Sequence, residues 1–229
     1  AFILTGYFKI ATMDASKIIQ NFQINGSITS IEPYGGGHIN DTFHIACAPG
    51  NTDYLLQKVN GYVFKNIEGL MNNIAVVSAH LRKKLHEQGV TDIDRRSLEL
   101  IKTKQGTFYI KDREGHFWRV FNFVEGHKVY DSAPNTEIAF EGARMFGKFL
   151  QQLADLDPGK VVETIPNFHN IKFRLDNLEK AIKEDPVGRV RQAKKEIKYA
   201  RDSFDIMSVI QNLGESGAIP SRIVHNDTK

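Results

Sequence analysis

The apolar pattern of this chain changes period once, near Gly126, and that change constrains the fold more than any single motif. Before it, short runs of β-branched and aromatic residues alternate with turn residues. Gly26 to Pro33, Asp41 to Ala46 and Tyr54 to Val59 read as strands of an antiparallel meander, broken by Gly35-Gly36-Gly37 and Pro49-Gly50-Asn51. From Ile67 the positions Leu70, Met71, Ile74, Val77, Leu81 and Leu85 recur every three or four residues up to Gly89, the spacing of an amphipathic helix stopped by a glycine. Strand patterning returns at Leu98 to Thr103, Thr107 to Lys111 and His116 to Phe123, with Gly106 and Gly115 in the turns. Beyond Gly126 the period is helical. Ile138, Gly142, Met145, Phe149 and Leu153 share one stripe that ends before Asp157-Pro158-Gly159. A second helix carries Ile171, Leu175, Leu178 and Ile182 up to Asp185-Pro186, and a third carries Val190, Ala193, Ile197, Phe204 and Met207.

The pattern predicts an α+β, bilobal chain: an N-terminal segment over residues 1–25, a β-rich lobe over 26–125 and a helical lobe over 126–229, with the boundary near Glu125 to Lys128. Met13, followed by the helix-like Asp14-Ala15-Ser16, has the character of a natural start, so residues 1–12 are expected to be an added leader. With 229 residues, 41% hydrophobic and 25% charged, the chain can bury a sizeable core and is neither disordered nor fibrous. A net charge of +3 with scattered basic residues gives no case for a nucleic-acid partner. The lysines between Lys180 and Arg201 alternate with Glu179, Glu184, Asp185 and Glu196 and read as a solvated helix face. Cys47, the single cysteine, can form neither an internal disulfide nor a cysteine metal cluster. No histidine pair brackets a glutamate at zinc-protease spacing. No run approaches the ~20 apolar residues of a membrane span, and Ala1-Phe2-Ile3-Leu4 is too short for a signal-peptide core. A cytoplasmic monomer without a membrane partner is expected.

Four features carry chemistry. Tyr34-Gly35-Gly36-Gly37-His38-Ile39-Asn40 lies between two strands, where a glycine turn brings backbone N–H groups close to phosphate oxygens; it lacks the Gly-Lys-Ser/Thr ending of a Walker loop. The third strand of a kinase lobe carries a phosphate-binding lysine that pairs with a glutamate on the next helix. Here that strand reads Tyr54-Leu55-Leu56-Gln57-Lys58-Val59, and Glu68 opens the helix. Strand alternation puts Lys58 on the face of Leu56 and Gln57 on the other, so Gln57 holds the lysine position unless a bulge or a one-step shift rescues Lys58; both remain candidates. Phe123-Val124-Glu125 ends an apolar strand before Gly126, where a hinge offers backbone groups to an adenine ring. Finally, His225-Asn226-Asp227-Thr228-Lys229 follows the short apolar run Ile223-Val224, as the catalytic base of kinase-type phosphotransferases does. The Mg²⁺-holding Asn is expected about five residues after Asp227, past Lys229. No metal ligand is therefore expected in these residues, and the stretch alone is expected to be an incomplete, inactive portion.

In this order the features indicate a protein-kinase-like fold. The chain resembles the aminoglycoside-phosphotransferase superfamily and, within it, the N-acetylhexosamine 1-kinases. The residues that carry the resemblance are Ile31-Glu32-Pro33-Tyr34-Gly35, Gly37-His38-Ile39-Asn40, Tyr54-Leu55-Leu56-Gln57, Thr164-Ile165-Pro166-Asn167-Phe168-His169 and the final pentad. The resemblance runs from about Ile31 to the end. It implies ATP-dependent phosphorylation of the anomeric hydroxyl of N-acetylglucosamine or N-acetylgalactosamine, with ATP and Mg²⁺ as cofactors. It makes Asp227 the catalytic base, Gly35 to Asn40 the phosphate loop and Phe123 to Glu125 the adenine hinge. The alternatives are another small-molecule kinase of the aminoglycoside, choline or homoserine kinase type, or a nucleotide-binding module without turnover.

Overall fold

The computed structural model describes residues 15–35, 39–130 and 132–226. Five antiparallel strands form one sheet: β1 (Ile28–Pro33), β2 (Asp41–Cys47), β3 (Tyr54–Val59), β4 (Ile110–Lys111) and β5 (Phe117–Asn122), in the order β1-β2-β3-β5-β4. The mixed α+β class expected from the change of period is the observed one. Residues up to Thr164 and residues from Ile165 form two separate compact units.

Strand alternation gives the sheet a dry face. Phe43 and Ile45 of β2, Tyr54 and Leu56 of β3, and Trp118 and Val120 of β5 are buried there as one cluster. What covers them is a segment that the sequence places outside the β-rich lobe: a helical turn over residues 15–19 and the stretch after it insert Ala15, Ile19 and Phe22, all at most 1% exposed. The Gln23 side chain donates to the Thr103 carbonyl (2.9 Å), and Asn25 N–H donates to the Tyr54 hydroxyl (3.1 Å). These bonds satisfy polar groups at the rim of the core.

Three expected elements differ. Leu98 to Thr103 is not a strand, because its hydrogen bonds are divided between two partners. Glu99 and Ile101 pair with Asn122 and Val120 of β5, whereas Lys102 accepts from Gln23 and Lys104 donates to Asn21. Only the isolated bridges Leu100–Phe121 and Phe22–Thr103 remain. β4 is two residues long rather than spanning Thr107 to Lys111, since Thr107 turns back to bond Thr103 through both backbone and hydroxyl. The third helical stripe is two helices, described below, and Val190 lies before them in a turn where Asp185 accepts its N–H (3.2 Å).

Helix α1 (Ile67–Glu87) starts at Asn66, whose side chain accepts from Gly69 N–H at 2.8 Å. Glu68 in its first turn and Lys84 and His86 in its last complement the helix dipole. Ile67 and Met71 pack on Val59 and Phe117, so α1 covers the sheet face opposite the dry core. Helix α2 (Thr136–Gln152) follows the change of period yet belongs to the same unit as the sheet: His80 donates to the Gln152 carbonyl and Asp155 (both 3.1 Å), and Lys84 pairs with Asp155 (2.8 Å). The second unit holds α3 (Ile171–Glu184), α4 (Lys194–Asp202) and α5 (Phe204–Glu215). Gln211 of α5 accepts from Ile171 N–H (2.9 Å), and Lys172 pairs with Glu215 (2.6 Å).

One carboxylate clasps the β4–β5 hairpin. Asp112 accepts from the Trp118 indole N–H (2.7 Å) and from the backbone N–H groups of His116 (2.8 Å) and Glu114 (3.0 Å). Burial alone would push its pKa up. The Trp118 and His116 donors outweigh burial and hold it below the ordinary 3.8. A carboxylate whose pKa falls on folding adds stability that is complete above its unfolded pKa and drains as pH falls through the folded one. Asp112→Ala is therefore expected to lose about 1–3 kcal/mol at pH 7. Urea midpoints should show that loss shrinking below about pH 4. An equal loss at pH 7 and pH 2 would refute the role given to its charge.

Candidate active site

The sheet face opposite the dry core is built by the register of its central strands. Pairing is continuous from Asp41–Lys58 to Ile45–Tyr54 between β2 and β3, and from Tyr54–Asn122 to Val59–Phe117 between β3 and β5. Without a bulge, Leu55, Gln57 and Val59 share this face with Thr42, His44, Arg119 and Phe121. Lys58 goes to the other side, its Nζ 5.9 Å from the Trp118 ring centroid. Of the two candidates left open by the sequence, it is Gln57 that lies on the α1 side.

Gln57 is held at both ends. Its Nε2 donates to the Thr42 hydroxyl (3.2 Å), and its Oε1 accepts from Arg119 Nε–H (3.1 Å). Arg119 is only 9% exposed, and its guanidinium lies 5.0 Å from the Phe121 ring centroid. Its Nη1 is buried without a hydrogen-bond partner, and among the described residues no carboxylate pairs with it. Burial pulls its pKa down to about 10, below the usual arginine range.

The glycine hairpin is closed by Tyr34 N–H donating to the Thr42 carbonyl (2.9 Å). Gly35 adopts φ +75°, a left-handed conformation in which a side chain is strained. Gly36, Gly37 and His38 lie outside the described residues. The Asn40 side chain accepts from Asn60 N–H (2.9 Å), which ties the start of β2 to the end of β3. Tyr34 belongs to a cluster of four rings around Phe123, whose centroid lies 4.3 Å from His44, 5.3 Å from His127 and 5.4 Å from Tyr34. His44 Nε2–H donates to Asp53 (2.9 Å), which also accepts from Cys47 N–H (2.8 Å). His127 bonds through both ring nitrogens: Nδ1–H donates to the Val124 carbonyl, so Nε2 accepts from the Tyr34 hydroxyl (2.6 Å).

The hinge is correspondingly fixed. Phe123 N–H donates to the Asp53 carbonyl (2.8 Å), and the Glu125 carbonyl accepts from Arg95 Nη1 (2.7 Å). Gly126 then turns the chain at φ +63°. Three backbone groups keep no protein partner among the described residues: the Phe123 carbonyl and the Val124 and Glu125 N–H groups.

Glu68 is exposed in the first turn of α1 and forms no ion pair with Lys58. Asp227 lies outside the described residues. In the same unit, His169 Nε2–H donates to the carbonyl of Asn226 (2.8 Å), which brings together two of the stretches singled out from the sequence. Arg174 braces the neighbouring Phe168 carbonyl through Nε (3.1 Å) and Nη2 (2.7 Å). Among the described residues no three His, Cys, Asp or Glu side chains converge as a metal site, and no helix is long and apolar enough to cross a membrane. Sequence reading missed Arg119, His44, Asp53 and His127. The signal for Arg119 was available: it sits two residues from Phe121 and four from Phe123, on the same side of the strand.

No protein-family model matches the chain. Among solved structures it is similar to spectinomycin phosphotransferase, APH(9)-Ia, in complex with ADP and spectinomycin, with a TM-score of 0.44 and 13% identity over 93% of this chain. The chain spans 59% of that protein's length.

Because folding lowers the pKa of Arg119, its charge opposes folding below about pH 10, and that opposition is relieved as pH rises above it. Arg119→Met keeps the length and removes the unpaired charge. It is expected to leave the urea midpoint unchanged or to raise stability by about 1–2 kcal/mol. A loss on the order of 3–5 kcal/mol, the mark of a broken buried pair, would show that the guanidinium has a partner in the folded protein.

Proposed function

We propose that this chain carries the nucleotide-binding and catalytic-loop residues of an ATP-dependent small-molecule kinase whose acceptor is the anomeric hydroxyl of an N-acetylhexosamine. One observation carries the nucleotide reading. A backbone carbonyl and two N–H groups at Phe123 to Glu125 have no protein partner among the described residues, at the end of the strand face that also bears Gln57 and Arg119, beside the hairpin at Gly35. An adenine edge offers an amino donor and ring acceptors, which such a hinge complements. The sugar acceptor is supported by the resemblance in residues 31–40, 54–57, 164–169 and 225–229.

In this reading adenine takes the hinge groups, with Leu55 and Phe123 against its ring, and the polyphosphate lies along the glycine hairpin. The sugar oxygen bonds to the γ-phosphorus as the bond from that phosphorus to the ADP oxygen breaks, and the hydroxyl proton passes to the Asp227 carboxylate. His169 holds the carbonyl of Asn226, the residue before Asp227 in the sequence. Among the described residues no three His, Cys, Asp or Glu side chains converge, and no step is assigned through Mg²⁺.

In the full-length gene product, Asp227→Asn is expected to lower kcat by roughly 10²–10⁴-fold while ATP binding is kept, since Asn preserves shape but cannot take the proton. Acceptors are screened by ADP release, and the product is identified by phosphorus–proton coupling at C1. Phosphate at C6, a preference for an aminoglycoside or choline, or near-native kcat in Asp227→Asn would each overturn part of this assignment.

A further inference from the structure

We infer that Arg119 of β5, held by Gln57, supplies the positive charge that binds the polyphosphate of the nucleotide, in the place where a kinase lobe ordinarily uses a lysine of the third strand. The inference rests on the nucleotide reading for what the anion is attached to, and on the geometry of this sheet for which residue holds it.

The first reason is the cost of the group as it stands. A guanidinium buried to nine-tenths, with one terminal nitrogen unpaired and no carboxylate partner among the described residues, is a desolvated charge without compensation. The same fork forms strong, paired bonds with phosphate oxygens. An anionic ligand therefore supplies the missing partner.

The second reason is orientation. Gln57 Oε1 engages Nε, and the Phe121 ring lies 5.0 Å from the guanidinium centre, so the plane is restrained while Nη1 has no hydrogen-bond partner among the described residues. Gln57 is itself anchored on Thr42, the residue whose carbonyl closes the glycine hairpin. The cation and the hairpin thus share one support.

The third reason is position. Arg119, Phe121 and Phe123 lie at alternate positions of one strand line, which separates the Arg119 backbone from the hinge by about 13 Å, four residues of extended chain. A base at the hinge thus points its phosphates along the line on which Arg119 lies. Lys58, the competing cation, is on the opposite face against Trp118.

Calorimetry on the full-length protein tests this with three probes, ATP, adenosine and inorganic tripolyphosphate, and three variants. Arg119→Met should weaken ATP and tripolyphosphate by roughly 10- to 100-fold, the worth of one or two charged hydrogen bonds, with adenosine affinity kept within about twofold. Gln57→Glu should do the same by pairing with Arg119, and it leaves the buried cation in place, so a folding defect cannot explain the loss. Lys58→Met should bind all three probes like the native protein. ATP binding retained in Arg119→Met and lost in Lys58→Met would overturn the assignment. Should the native protein bind tripolyphosphate through Arg119 but neither ATP nor adenosine, the nucleotide reading fails and the anion site stands. A native protein that binds neither ATP nor tripolyphosphate removes both.

Discussion

The uninterrupted pairing of β3 with both β2 and β5 is the constraint on which the rest of the first unit depends. Because side chains alternate along a strand, one register decides at once which residues build the dry core and which form the polar face under α1. Leu56 can be fully buried only if Gln57 and Arg119 turn the other way. A one-residue slip of β3 would put Gln57 among Phe22, Ile45 and Val120 and would turn Tyr54 and Leu56 out of the core. Hydrophobic burial on the core side, about 1.5–3 kcal/mol for each large side chain, thus positions polar groups that contribute little to folding themselves.

The parts of the fold legible in the sequence are those whose pattern is local. β3 and the start of α1 fall where periodicity and a glycine stop place them, since each has one face to bury and turn residues at its ends. Leu98 to Thr103 misled because its β-branched and apolar residues satisfy a strand pattern while its hydrogen bonds serve two different neighbours. That division is a tertiary fact. The same holds for Ala15, Ile19 and Phe22, whose spacing suits one helical face but whose partners lie in strands far along the chain. At the candidate site, the glycine hairpin and hinge were readable from residue type and order. For Arg119 the sequence shows only that it shares a strand face with Phe121 and Phe123; its meaning comes from facing Gln57 across a strand pair, and a lysine motif drew attention to the adjacent position.

The hairpin and hinge are not independent pieces. Tyr34 directly precedes Gly35, and it reaches His127, which in turn holds the Val124 carbonyl. Phe123 sits among Tyr34, His44 and His127, so the backbone groups of the hinge and the entry to the glycine loop are set by one packed group of rings. Aromatic contacts of this kind add about 0.5–1.5 kcal/mol each beyond burial. Asp53 extends the group by orienting His44 while its own carbonyl accepts from Phe123. Two features that sequence reading treats as separate motifs thus move as a unit.

The buried segment around Phe22 also sets a schedule for the chain during its synthesis. Gln23 and Phe22 close on Thr103, and the Gln23–Thr103 contact spans 80 residues. At ribosomal rates of about 5–20 residues per second, this apolar stretch leaves the exit tunnel roughly 4–16 s before its partner does. Ile18, Ile19 and Phe22 therefore wait in water, open to chaperones and to other nascent chains, until the middle of the sheet exists to receive them.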